Sequence, residues 1–348
     1  MKKVIYYLPV SEKYISKWEY YHVDLEMLKE SHANVIVCNS FKAVLKHILS
    51  VNLIYCWWWH RSAHIVLLAR LFNVKIYVTG AIHMYDISGS SDYYNKTFLY
   101  RLLCKFSLRF SHRNLFISQD QFQQITSHIK TKRPTLLMSS LKKDANFFDN
   151  IQKSKQYINL KNYKFITVCW HSIEQYKRKG VFETLDALAL LKKRSSISFE
   201  WTILGASSSG DDILLLKSRI KSLNLDANIS IVLDKTEPEK NNYFLISDLY
   251  IQPSWHEGFG NASLEAMSFG MPALVSRYTA QPEVIGSTGI IVHKLSGQTI
   301  YESLLDFINL DLKTREKNID NISKRISENF SYEVRLKNYQ NILDFDNE

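Results

Sequence analysis

Residues Ser247–Gly286 read SDLYIQPSWHEGFGNASLEAMSFGMPALVSRYTAQPEVIG, and the fold follows from this stretch. Leu249 to Gln252 has the composition of a buried strand end, stopped by Pro253 and Ser254. Glu257-Gly258-Phe259-Gly260 then sets a carboxylate before two glycines, a loop whose backbone can approach a ligand closely. Asn261 is placed to cap a short helix over Ala262 to Phe269, which Gly270 and Pro272 end. Ala273 to Ser276 reads as the next strand. A strand, a glycine loop and a helix start make an anion site, because unpaired N–H groups and the helix dipole favour phosphate. Glu257 and Glu265 flank it, and carboxylates accept hydrogen bonds from sugar hydroxyls.

Seven residues separate Glu257 from Glu265, and the phrase PSWHEGFGNASLEAMSFGMPALVS resembles the signature of retaining GT-B glycosyltransferases of family GT4. The resemblance implies an α/β fold, GT-B, with two Rossmann-like domains facing a central cleft. It implies an acceptor-binding domain over residues 1–150, a nucleotide-sugar donor domain over 160–330, and a C-terminal helix in 331–348 returning to the first domain. Glu257 takes the role of the carboxylate on the donor sugar and Glu265 that of the ribose ligand. Gly258, Phe259, Gly260 and Asn261 line the sugar-diphosphate with their backbone.

The family pattern also places cations on the diphosphate. Lys179-Gly180, ahead of a helix from Val181 to Lys193, matches its Lys-Gly pair. The arginine usual at the preceding strand end is absent; His171 stands nearest its place, and Arg178 is a substitute. In the loop after the strand Lys75 to Thr79, His83 resembles a histidine that faces the reaction centre, with Asp86 beside it. His83 is expected to orient the sugar or acceptor rather than act as a general base, because retaining enzymes of this type use the donor's own phosphate oxygen for the acceptor proton. Glu257, His83 and Lys179 are thus the expected catalytic set. The glycine pair that many relatives carry after the first strand is replaced here by Pro9, Val10 and Ser11.

Composition bounds the rest. The chain has 348 residues, 46% apolar and 22% charged, which suits two globular domains and excludes disorder. No apolar run reaches the roughly 18 residues of a membrane span, and the N-terminus reads as a strand rather than a signal peptide. Cys38, Cys56, Cys104 and Cys169 lack CxxC spacing and read as reduced core thiols of a cytosolic protein. Residues 1–150 hold 20 Lys and Arg against 10 Asp and Glu, whereas residues 151–348 hold 24 of each. The whole net charge therefore lies in the first part, which implies an anionic partner there.

Strand and helix patterns alternate along the chain. Strands are expected at Val4–Leu8, Val35–Cys38, Asn52–Trp58, Leu115–Ser118, Phe165–Cys169, Trp201–Leu204, Ile229–Leu233 and Ile290–Val292. Helices are expected at Tyr14–Glu30, Ala63–Leu71, Gln119–Ile129, Asp211–Leu223, Glu237–Ile246, Tyr301–Ile308 and through 312–343. Trp57-Trp58-Trp59-His60 at a strand end either lines an acceptor cleft or packs between domains. Arg101, Lys105, Arg109 and Arg113 recur every four residues within an expected helix from Asp92 to Arg113. Such a basic amphipathic helix either lies on an anionic membrane or packs on its own sheet with a solvated basic face. No nucleic-acid-binding pattern is present. Asp344-Phe345-Asp346 spells the DxD metal motif of another transferase class, but its place near the end of the sequence predicts a frayed segment and no metal site.

The resemblance therefore implies retaining hexosyl transfer to a hydroxyl of a glycan or lipid-linked glycan, in synthesis of O-antigen, capsule or lipopolysaccharide. A UDP-sugar is the first choice of donor and a GDP-sugar the second. The expected location is the cytoplasm, peripheral on the inner face of the plasma membrane, with no cofactor and no metal. The alternative is an inactive GT-B relative acting as a nucleotide-binding or membrane-associated scaffold.

Overall fold

The computed structural model describes residues 3–11, 19–32, 34–82, 84, 93–141, 147, 162–206, 210–278 and 280–346. The chain divides into two compact units, Met1–Asp144 with Asn329–Glu348, and Ala145–Glu328.

The first unit holds strands β1 (Lys3–Tyr7), β2 (Asn34–Cys38), β3 (Leu53–Trp57), β4 (Lys75–Thr79), β5 (Arg113–Phe116) and β6 (Pro134–Leu136). Its helices are α1 (Glu19–Ser31), α2 (Phe41–His47), α3 (Trp59–Leu71), α4 (Phe98–Phe110) and α5 (Gln119–His128). The strands form one parallel sheet in the order β2-β1-β3-β4-β5-β6. Their near-continuous apolar composition suits a sheet covered on both faces, and β3 is buried at every position. Parallel crossovers are right-handed, so the reversal after β2 puts α1 on one face and α2 to α5 side by side on the other.

The second unit holds β7 (Asn162–Val168), β8 (Ser198–Gly205), β9 (Ile229–Leu233), β10 (Leu249–Gln252), β11 (Ala273–Ser276) and β12 (Ile290–Val292). Its helices are α6 (Ile173–Arg178), α7 (Val181–Arg194), α8 (Gly210–Ser222), α9 (Glu237–Ile246), α10 (Asn261–Met267), α11 (Gln281–Ile285), α12 (Gly297–Ile308) and α13 (Leu312–Phe330). The sheet is again parallel, in the order β12-β11-β10-β7-β8-β9. This is the doubly wound order of a Rossmann fold, and its direction reverses between β7 and β10. A crevice at the carboxyl ends of those two strands is where such sheets bind ligands.

The last helix, α14 (Tyr332–Phe345), belongs to the first unit. It packs on α1, where Tyr332 Oη donates to Glu30 at 2.8 Å. Arg335 on α14 meets Asp24 on α1 at 2.6 Å, both side chains almost fully buried. The other oxygen of Asp24 accepts from Tyr55 Oη and Trp57 Nε1, each at 3.0 Å. Breaking so buried a pair costs about 3–5 kcal/mol, because the remaining charge has no solvent.

Several expectations are corrected. Helix α3 begins at Trp59, not Ala63: Trp58 turns the chain with a φ of 75°, and the Ser62 N–H bonds back to its carbonyl at 3.0 Å. Helix α4 begins at Phe98, capped by Thr97, and ends at Phe110. Arg113 therefore lies in β5 and leaves the basic stripe. Asn261 is the first residue of α10, and the capping position is Gly260, with a φ of 103°. Asp346 is not frayed. Its carboxylate is nearly fully buried, with Arg113, Tyr77 and Arg133 among its partners, and its backbone carbonyl accepts from Lys75 Nζ. All four cysteines are buried and free.

Candidate active site

The reversal point of the second sheet holds a compact cluster of charge. β7 ends at Val168 and β10 at Gln252, on neighbouring strands. Lys179 follows α6, whose start is capped by the Ser172 hydroxyl accepting from the Gln175 N–H. Its Nζ donates to the Val168 carbonyl at 2.9 Å and to Gln252 Oε1 at 3.0 Å. One ammonium thus bridges the ends of the two strands. Gly180, next in sequence, starts α7 in the left-handed region, with a φ of 69°. A Cβ there would sit 2.3 Å from the Pro253 carbonyl oxygen, so only glycine lets α7 and Lys179 come this close to the end of β10.

Glu257 stands beside the ammonium. Its Oε1 lies 2.9 Å from Arg178 Nη1 and 3.9 Å from Lys179 Nζ. The same oxygen accepts from Gln252 Nε2 at 2.7 Å and from Ser254 Oγ at 3.3 Å. Arg178 is held in turn by Gln175 Oε1 at 2.7 Å and the His256 carbonyl at 2.7 Å. Burial works to raise the carboxyl pKa of Glu257, but Arg178, Lys179 and His256 outweigh it and the net shift is downward. Burial pulls the Lys179 ammonium below its ordinary value; Glu257 opposes that and Arg178 adds to it. Two cations and one anion leave a net positive charge with few protein counter-charges, which is the electrostatic form of an anion site.

Gln252 is the hub of this cluster and was missed by sequence reasoning. It is fully buried, and it receives Lys179 and Tyr250 on its oxygen while its amide donates to Glu257. Its backbone carbonyl accepts from Gln281 Nε2 at 3.0 Å, which ties α11 to the end of β10. The only signal in the sequence was an amide in the last position of a strand before proline.

Downstream, the α10 ladder starts with the Leu264 N–H on the Gly260 carbonyl at 2.9 Å, which leaves the N–H groups of Asn261 to Ser263 outside it. Phe259 is buried as a whole residue. Glu265, one turn into α10, forms an ion pair with Lys240 of α9 at 2.5 Å, with a tenth of its side chain exposed. Lys240 was also not foreseen.

Other expected site residues lie elsewhere. His171 is fully buried against Tyr176 Oη at 3.0 Å, and burial lowers its pKa, so it is a neutral core imidazole rather than a substitute for the absent arginine. Trp59 lines no cleft: it is fully buried in the first unit, stacked on Phe116 at 5.4 Å and donating to Asn114 at 2.9 Å. His60 lies beside Tyr100 at 4.3 Å, and burial, with Arg61 and Lys96, pushes its pKa down to about 4. Arg101 and Lys105 line a cavity of about 250 Å3 with Tyr93, Phe98 and Leu102, and Arg109 stacks over Phe110 at 5.8 Å. His83 and Asp86 lie outside the described residues. Among the described residues no group of three His, Cys, Asp or Glu side chains is arranged to hold a metal ion.

The family model of glycosyl transferases group 1 matches residues 150–325, half of the chain and almost all of the unit that carries this cluster. The chain belongs to that family. This glycosyltransferase is 24% identical over 269 residues to the capsular polysaccharide biosynthesis glycosyltransferase CapM of Staphylococcus aureus, a match over 75% of this chain and 67% of that protein. It is 34% identical over 134 residues to the D-inositol 3-phosphate glycosyltransferase of Arthrobacter sp. strain FB24, and spans only 32% of that relative's length. Among solved structures, Anabaena HepE in complex with UDP and glucose aligns with a TM-score of 0.71 at 16% identity, over 99% of this chain and all of that one. A likeness at that identity carries the fold, and the fold of the transferase is GT-B, as the sequence predicted.

Proposed function

We propose that this transferase moves a hexose, with retention, from a nucleotide-diphosphate sugar to a hydroxyl of a glycan or lipid-linked glycan in surface-polysaccharide synthesis. The observation that supports it best is the Arg178–Lys179–Glu257 cluster at the sheet reversal point. Glu257 is the anion that holds the half-buried Arg178 and the buried Lys179 in place. A diphosphate carries more charge than one carboxylate and takes over Arg178 and Lys179. Glu257 then turns to the hydroxyls of the sugar, and Glu265 accepts from the ribose hydroxyls. As the bond to the leaving diphosphate breaks, negative charge grows on its oxygens, and the two fixed cations stabilise it without reorganisation. The acceptor hydroxyl attacks from the face the diphosphate leaves, and a diphosphate oxygen takes its proton. Lys179 and Arg178 supply the role that a divalent metal fills in other transferases. A UDP-sugar is the favoured donor and a GDP-sugar the second. The likeness to a capsule-synthesis enzyme supports the surface-polysaccharide reading.

The test is a thermal-shift titration with UDP, GDP and their sugar conjugates on wild type and Glu265→Ala. Saturation at about a hundred times the dissociation constant stabilises a folded state by roughly 2.7 kcal/mol. One nucleotide should stabilise wild type and not the variant. Stabilisation by none of them refutes the donor site and favours an inactive relative.

A further inference from the structure

The chemistry above leaves unused the outward face of the helical layer in the first unit. Helices α2, α3 and α4 lie side by side: the Phe41 and His64 rings are 5.4 Å apart, and those of His60 and Tyr100 are 4.3 Å apart. On α2 and the turn after it, Phe41, Leu45 and Leu49 are exposed at four-residue spacing. Leu67 and Leu71 repeat this on α3, and Phe98 and Leu102 on α4. Leu49, Leu71 and Phe98 leave 84%, 73% and 74% of their surfaces in solvent. Single exposed leucines need no account, but aligned pairs on three adjacent helices form a patch.

The charge between them has one sign. Lys42, Lys46, Arg70, Lys105 and Arg109 are exposed, while residues 31–85 and 93–119 contain no Asp or Glu at all. Stripes of leucine and phenylalanine framed by cations alone match an anionic bilayer: apolar side chains enter the headgroup–acyl boundary and the cations meet lipid phosphates. A second copy of the chain fits poorly, because it would set the same cations against one another. No helix among the described residues is long and apolar enough to cross a membrane, so contact would be at the surface.

We propose that the α2–α3–α4 face is a docking surface for an anionic lipid bilayer. It is broader than the single basic stripe that the sequence suggested, and its apolar centre lies on α2 and α3. The inference does not rest on sugar transfer, since the donor cluster lies in the other unit.

Sedimentation of the full chain with vesicles of equimolar phosphatidylglycerol and phosphatidylcholine, against phosphatidylcholine alone, tests it. Wild type should pellet with the anionic vesicles only, and less as salt rises. Leu71→Glu and Leu49→Glu should abolish pelleting at an unchanged melting temperature, since both positions are exposed. Lys42→Glu with Lys46→Glu should weaken it at least five-fold per site. Absence of pelleting, or pelleting that these variants leave intact, overturns the proposal. So does a lipid-free dimer in sedimentation velocity that Leu71→Glu dissociates, which would assign the face to a second copy.

Discussion

Replacing Gly180 with alanine tests the positioning of the donor cluster most directly. Gly180 holds a φ of 69°, and an added Cβ would lie 2.3 Å from the Pro253 carbonyl oxygen. The left-handed backbone costs a non-glycine residue about 1–2 kcal/mol. The contact is with backbone at the end of a buried strand, not with a flexible side-chain tip, so relief means moving α7 away from β10. Overpacking of that kind costs about 1–3 kcal/mol more. The expected loss is therefore about 2–5 kcal/mol. Because Lys179 precedes Gly180 and bridges Val168 and Gln252, the same movement should draw its ammonium off the site and weaken UDP binding. Gly210→Ala is the matched control. Nothing lies within 4 Å of its Cβ position, and it opens α8, so there the substitution should stabilise by about 0.4–1 kcal/mol. Urea unfolding and UDP titration of both variants decide the matter. Gly180→Ala within about 0.5 kcal/mol of wild type, with unchanged UDP affinity, would refute the reasoning.

Lys240→Met strips Glu265 of the cation 2.5 Å away while leaving the carboxylate a tenth exposed. With the remaining solvent access discounted, urea unfolding should show a loss of about 1–3 kcal/mol, and nucleotide affinity should fall with it. Asp346 supplies a pH dependence. Burial works to raise its carboxyl pKa, but Arg113, Tyr77 and His112 outweigh it and hold it below the ordinary value. A depressed carboxylate stabilises the fold above its unfolded pKa and loses that contribution as pH falls through the folded one. Asp346→Asn should thus melt below wild type at pH 7, and the gap should close on acidification below about pH 4; a gap that is constant with pH would rule out the ion cluster as its source.

Local signals carried much of the architecture. Lys75–Thr79, Ile229–Leu233, Leu249–Gln252, Ala273–Ser276 and Ile290–Val292 were legible to the residue, because an apolar, mostly β-branched run bounded by polar or turn residues has sharp ends whether it is central or at the sheet edge. Several short pieces were not legible. Helices α2, α6 and α11 have two turns or fewer, and β6 has three residues and opens on proline, so none shows a full period. The Glu257 to Glu265 loop and Lys179-Gly180 could be read because glycines and charges at fixed spacing are themselves a local pattern.

What the sequence determined by itself was the set of residues whose reasons are local: strand runs, turn glycines, and the spacing of two glutamates. The tertiary structure alone decided which polar groups meet. Gln252 becomes the hub of the site only because β10 pairs with β7, which sets the end of one strand beside Lys179 from the loop after the other. Lys240 reaches Glu265 from a helix twenty-five residues upstream, and Arg335 finds Asp24 across 311 positions. His171 was expected beside the diphosphate and Trp59 either at an acceptor cleft or between domains, and both are fully buried in the structure, because burial is a property of the packed layers and not of the residue type.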